Sequence, residues 1–133
     1  MVALFRAMRI EMDGFPVCGR TGSTLGVRTE HEEGRCANIV PDESGFVHPG
    51  MGGMSVSPDS PRNLPPHRRP RELGGTGKDP VFTIFDQQLE KSLAFRRDPG
   101  NPESHGFVGP AVAQSLAAYE EALWGTRLRW RRL

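Results

Sequence analysis

The chain has 133 residues, the size of one domain spanning 1–133, and long enough to bury roughly two-thirds of its unfolded surface in a single core. Hydrophobic residues make up 36% and charged residues 25%, a globular balance, and a net charge of +1 argues against a protein that works mainly by attraction to nucleic acid or anionic lipid. The longest apolar runs, Met1 to Phe5 and Val81 to Phe85, fall far short of the ~20 residues of a membrane span, so no membrane partner is expected.

Val2 to Ile10 mixes apolar residues with Arg6 and Arg9 and reads as a first, central strand. The same arginines interrupt the apolar stretch that a Sec signal needs, so the expected compartment is the cytoplasm. Asp13 to Glu33 is rich in Gly, Thr and charge and reads as loop, with Thr24 to Arg28 as a short strand or helical turn. Cys18 and Cys36 are expected to be free thiols, and adding His31, His48, His67 and His105 yields no pair of ligands at i+3 or i+4, so no metal is expected.

Ala37 to Val40, stopped by Pro41, and Gly45 to Val47 read as two brief strands. In Pro49-Gly50-Met51-Gly52-Gly53-Met54-Ser55-Val56-Ser57, the glycines let the backbone turn sharply and approach a neighbour or ligand before a strand begins. That strand puts Ser55 and Ser57 on one face. Six prolines between Pro58 and Pro80 make a surface excursion. Val81 to Phe85 is a strand by its β-branched and aromatic content. Asp86 to Leu93 follows as a helical turn, then a short strand at Ala94 to Arg97, a Pro/Gly turn at Asp98 to Ser104 and a last strand at His105 to Val108. Pro110 opens a helical segment in which Ser115 is the N-cap. Leu116, Tyr119, Leu123 and Trp130 then form the inward stripe, with Glu120, Glu121, Arg127 and Arg131 opposite. The class is therefore α+β: a compact mixed β-sheet core of short strands, long Pro/Gly-rich loops and a C-terminal amphipathic helix.

Three side chains stand out chemically. A guanidinium in an apolar strand must find partners, so Arg6 either grips a ligand phosphate or carboxylate or is satisfied by backbone carbonyls. Ser55, behind close-approach glycines, either hydrogen-bonds a ligand or is bonded locally. His105 is suited to acid–base chemistry near neutral pH, or else is structural. Gly74-Gly75-Thr76-Gly77-Lys78 fails as a phosphate loop, because Glu72 and Asp79 replace its obligatory Gly and Ser/Thr. The clusters Arg68, Arg69, Arg71 and Arg127, Arg129, Arg131, Arg132 suit phosphates, an acidic partner, or simple solvation.

Leu4-Phe5-Arg6-Ala7-Met8, Ala37-Asn38-Ile39-Val40 through Gly50-Met51-Gly52-Gly53-Met54-Ser55-Val56, and the arginine-rich end follow one another in an order that resembles the ADP-ribosyltransferase-like type VI secretion effector toxins. These are small NAD-dependent toxins acting in the cytoplasm. The resemblance implies an ADP-ribosyltransferase-like fold with NAD as substrate and Arg6 and Ser55 as catalytic residues lining its pocket, to which His105 adds a catalytic candidate on its own acid–base chemistry. Arg6 would hold the pyrophosphate and Ser55 the nicotinamide ribose, with Gly52 and Gly53 beside the ligand and Met54 shielding the glycosidic bond. A cognate immunity protein would cover the pocket, the acceptor of ADP-ribose is not specified, and delivery into a target cell would need no Sec signal. The site so drawn contains no glutamate of a Glu-x-Glu or Gln-x-Glu pair, which in better-known transferases stabilises the oxocarbenium-like sugar. Two other readings stand beside it: a non-catalytic interaction module using the Pro58 to Pro80 loop and the arginine tail, and a small RNA-cleaving toxin using His105 with an arginine.

Overall fold

The computed structural model describes residues 1–30 and 36–133, so His31 lies outside the described residues. Its strands are β1 (Ala3–Ala7), β2 (Phe46–Val47), β3 (Met54–Pro58), β4 (Val81–Phe85), β5 (Leu93–Arg97), β6 (Gly106–Pro110), β7 (Gln114–Ser115) and β8 (Arg131–Arg132), with one α-helix, α1 (Leu116–Gly125). Six of the strands form one sheet in the order β5-β6-β3-β1-β4-β8, every pair antiparallel. The apolar first strand is thus central, and β4 covers the same residues as the β-branched run that predicts it.

Strand periodicity divides the buried residues between the two faces of this sheet. Leu4, Met54, Val56 and Ile84 join Tyr119, Leu123 and Trp130 in the main core. Phe5 and Ala7 point the other way, into a smaller cluster with Val81 and Leu64. Leu64 belongs to the proline-rich excursion, which folds over this second face with short 3-10 turns at Pro61–Asn63 and Arg71–Leu73.

The C-terminal part differs from the sequence reading. Ser115 does cap α1, its hydroxyl accepting from the Ala118 N–H at 3.1 Å, but the helix stops at Gly125 rather than running on to Trp130. Glycine costs about 1 kcal/mol in a helix interior, and the Thr126 hydroxyl donates to the Leu123 carbonyl at 2.6 Å, closing the last turn. A 3-10 turn, Arg127–Arg129, then leads into β8. Trp130 is buried from that strand entry, donating through Nε1 to Thr126 Oγ1 at 3.0 Å. The helix carries no acid in its first turn and no base in its last, so no charged side chain complements its dipole there. Glu120, expected on the solvent face, is buried and paired with Arg20 at 2.6 Å.

Pro110 ends β6 instead of opening a helix, and the residues before α1 pair with β2. Thr24 to Arg28 forms neither strand nor helical turn; a single bridge joins Cys18 to Leu25. Ala37 to Val40 is likewise reduced to a bridge between Ile39 and Gly52. Cys18 and Cys36 are free and exposed. No helix among the described residues is long and apolar enough to cross a membrane.

Candidate functional site

Where the second face of β1 and β3 meets the proline-rich excursion, a cleft of roughly 260 Å³ opens, with Arg6, Ser55 and His105 in its lining. It lies just below the ~300–1,000 Å³ usual for ligand pockets, which suits one end of an extended ligand. The structure therefore brings the three singled-out side chains to one place.

Arg6 is 6% exposed and each of its three guanidinium nitrogens donates to a backbone carbonyl. Nε donates to Thr24 O at 3.1 Å, Nη1 to Ser55 O at 2.7 Å, and Nη2 to Thr24 O at 2.7 Å and Thr21 O at 3.2 Å. The fork organises the 21–26 loop, whose carbonyls no strand ladder satisfies. Burial, and after it the charges of Arg68 and Arg28, push its pKa down to about 9.

Ser55 is better placed than Arg6 to meet a ligand, because its carbonyl is tied to Arg6 while its side chain faces the cleft. Its Oγ lies 3.3 Å from His105 Nε2, and His105 Nδ1 lies 2.9 Å from Asp98 Oδ2. The other Asp98 oxygen accepts from the Gly100 N–H at 2.9 Å. These contacts hold the Asp98 carboxyl below the ordinary carboxylate range, the His105 bond first among the causes. The His105 ring also packs edge-on against Phe107, with centroids 4.7 Å apart.

Two further arginines set the charge of the cleft. A Cβ built on Gly22 would lie 2.8 Å from Arg68 Nη2 and 3.5 Å from Arg28 Nη2, so both guanidiniums converge on one point of the lining. Among the described residues, the carboxylate paired with Arg68 is a distant one, Asp79 at 4.0 Å. Arg28 Nη1 donates to the Cys36 carbonyl at 3.3 Å. No Asp or Glu stands among the described residues of the lining, and guanidiniums converging there favour an anion.

Other expected ligand contacts fall elsewhere. Met54 is 1% exposed and belongs to the main core, on the opposite face of β3 from Ser55. Gly52 and Gly53 serve close backbone approach: a Cβ on Gly52 would collide with the Asn38 carbonyl, and one on Gly53 would sit 2.5 Å from the Val108 carbonyl. Both have positive φ, +101° and +153°, which side chains rarely tolerate. The glycines thus seat β3 against its neighbours, one step removed from the cleft. Glutamate pairs of the transferase spacing do occur in the chain, Glu30-His31-Glu32 and Gln88-Leu89-Glu90. Gln88 caps the Phe85 N–H at 2.9 Å and Glu90 pairs with Arg129 at 3.0 Å, while Glu32 lies outside the described residues.

Arg28 was missed by sequence reading because nothing local distinguishes it, and Arg68 stood out only as part of a basic cluster. Asp98 had a signal: short strands on both sides of the Asp98 to Ser104 turn make a hairpin, which sets Asp98 opposite His105. The structure has that pairing, Asp98 N–H to His105 O at 3.0 Å beside the Arg97–Gly106 register. No family model and no curated protein matches this chain.

Proposed function

We propose that the cleft binds the phosphate-bearing part of NAD and that the protein is an ADP-ribosyltransferase-like antibacterial toxin acting in the cytoplasm of a target cell. The observation that carries the reading is the convergence of the Arg28 and Arg68 guanidiniums over Gly22 with no carboxylate among the described lining residues. Those arginines take the pyrophosphate role in place of Arg6, whose donors are engaged by carbonyls. Ser55 Oγ remains the group for a ribose hydroxyl. A cognate immunity protein covering this opening would bring carboxylates to it, by charge complementarity.

Calorimetry with NAD tests the reading on the wild type and on Arg68→Ala. A charge-assisted hydrogen bond of about 1.5–3 kcal/mol predicts a loss of roughly 10- to 100-fold in affinity. No binding to the wild type, or equal affinity in the variant, overturns it. His67 lines the same cleft as His105, which favours RNA cleavage as a second reading, one imidazole as base and the other as acid. Cleavage of a labelled RNA oligonucleotide that disappears in both His67→Ala and His105→Ala decides for that reading.

A further inference from the structure

Binding a phosphate does not call for a histidine held between a carboxylate and a serine, yet the cleft has one. Asp98 Oδ2 takes the Nδ1 side of the His105 ring at 2.9 Å, which leaves the Nε2 lone pair facing Ser55 Oγ at 3.3 Å. That is a nucleophile, a base and a group that orients the base, at separations expected before a substrate tightens them. All three are pinned independently. Ser55 is fixed by the Arg6 bond to its carbonyl, Asp98 by the Gly100 N–H, and the His105 ring by Phe107.

We propose that Ser55 is a nucleophile with His105 as its general base and Asp98 as the positioning residue, and that the cleft hydrolyses small esters or thioesters bearing a phosphate or carboxylate. Ser55 Oγ attacks the acyl carbon as its proton passes to His105 Nε2, and the tetrahedral oxyanion forms in the positive field of Arg28 and Arg68. The ester C–O or thioester C–S bond then breaks, and the leaving alcohol or thiol takes the proton from His105. Water attacks the acyl-serine, gives a proton to His105, and the acid departs as Ser55 regains its hydrogen. The arginines select the anionic substrate class. This activity shares the cleft with the NAD reading but needs no NAD, so calorimetry and serine labelling succeed or fail separately.

The full chain is incubated with an alkyl fluorophosphonate, whose phosphorus takes the Ser55 oxygen as fluoride leaves and the proton goes to His105. The expected result is one adduct per chain, mapped by mass spectrometry to Ser55. Ser55→Ala should remove it and His105→Ala should slow it at least 100-fold, with melting temperatures near the parent's. Asp98→Asn should slow labelling at least tenfold and move the acid limb of its pH profile toward lower pH, a shift that loss of structure alone does not produce. An unlabelled wild-type protein, an adduct on another residue, or a wild-type rate in His105→Ala overturns the proposal, and the first two outcomes depend on no variant folding. For the substrate class, mono-p-nitrophenyl succinate should be hydrolysed at least tenfold faster than p-nitrophenyl acetate in kcat/KM, with the preference lost in Arg68→Ala; equal rates on the wild type overturn the anionic assignment.

Discussion

Arg6 donates to the carbonyl of Ser55 at 2.7 Å, so the residue whose hydroxyl faces the cleft is anchored through its backbone to the most buried cation among the described residues. Arg6→Ala removes that anchor and takes the guanidinium donor from the Thr24 and Ser55 carbonyls. Buried groups left unpaired cost about 1–3 kcal/mol each, so urea denaturation should show a loss of at least ~2 kcal/mol. A loss under ~1 kcal/mol would mean that water takes over the donor role.

Gly22→Ala separates the cleft from the fold. The added Cβ meets the far end of the Arg68 side chain at 2.8 Å, and the next nearest atoms are also guanidinium atoms, so the guanidinium can swing aside. Stability should change by no more than ~0.5 kcal/mol, as for surface substitutions generally. NAD affinity should fall severalfold, because the two guanidiniums no longer converge. Calorimetry beside a thermal melt reads both, and unchanged affinity would place the anion site elsewhere.

Local chemistry was legible and distant pairing was not. Val81 to Phe85 and the Ser115 cap follow from side-chain shape and a hydroxyl three residues from an amide, so the sequence carries them directly. The end of α1 depends on how Trp130 reaches the core through β8, a contact that no helical period contains. Arg6 was recognisably a guanidinium in need of partners, but its acceptors are carbonyls 15 to 49 residues away in an irregular loop and on β3, and backbone carbonyls leave no mark on composition. Glu120 shows the same limit, since its buried pairing with Arg20 spans 100 residues.

Asp98 gives a pH prediction. Its hydrogen bond with His105, then that from the Gly100 N–H, lowers its folded pKa below the unfolded value. The stabilisation is therefore present above the ordinary carboxylate pKa of about 3.9 and is lost as pH falls through the lower folded value. Carbon-detected NMR of the Asp98 carboxyl should find a titration midpoint below that of an unstructured aspartate, moving upward in His105→Ala. A midpoint that the substitution leaves in place would show that the two side chains are not paired in solution.

Tyr119 links helix, sheet and cleft. Its hydroxyl, fully buried, donates to the Val108 carbonyl at 2.6 Å and accepts from the Met54 N–H at 3.2 Å. Met54 and Val108 are register partners, and the next pair along is Ser55 with Phe107, so the phenol clasps β3 to β6 one residue from the serine. Burial raises the phenol pKa, which keeps it protonated and donating. Tyr119→Phe preserves the ring and removes only the clasp, at a cost of about 1–3 kcal/mol for buried groups left unpaired. Leu123→Ala, on the same helix, is the comparison: it opens a cavity in the main core and should cost ~2–5 kcal/mol. The two should differ in where stability is lost. Native-state hydrogen exchange should accelerate in Tyr119→Phe first at Met54 and its β6 neighbours, whereas Leu123→Ala should lower protection across the whole sheet through global unfolding. Uniform loss of protection in both variants would mean that the hydroxyl adds stability to the core at large and does nothing particular for the strand that carries Ser55.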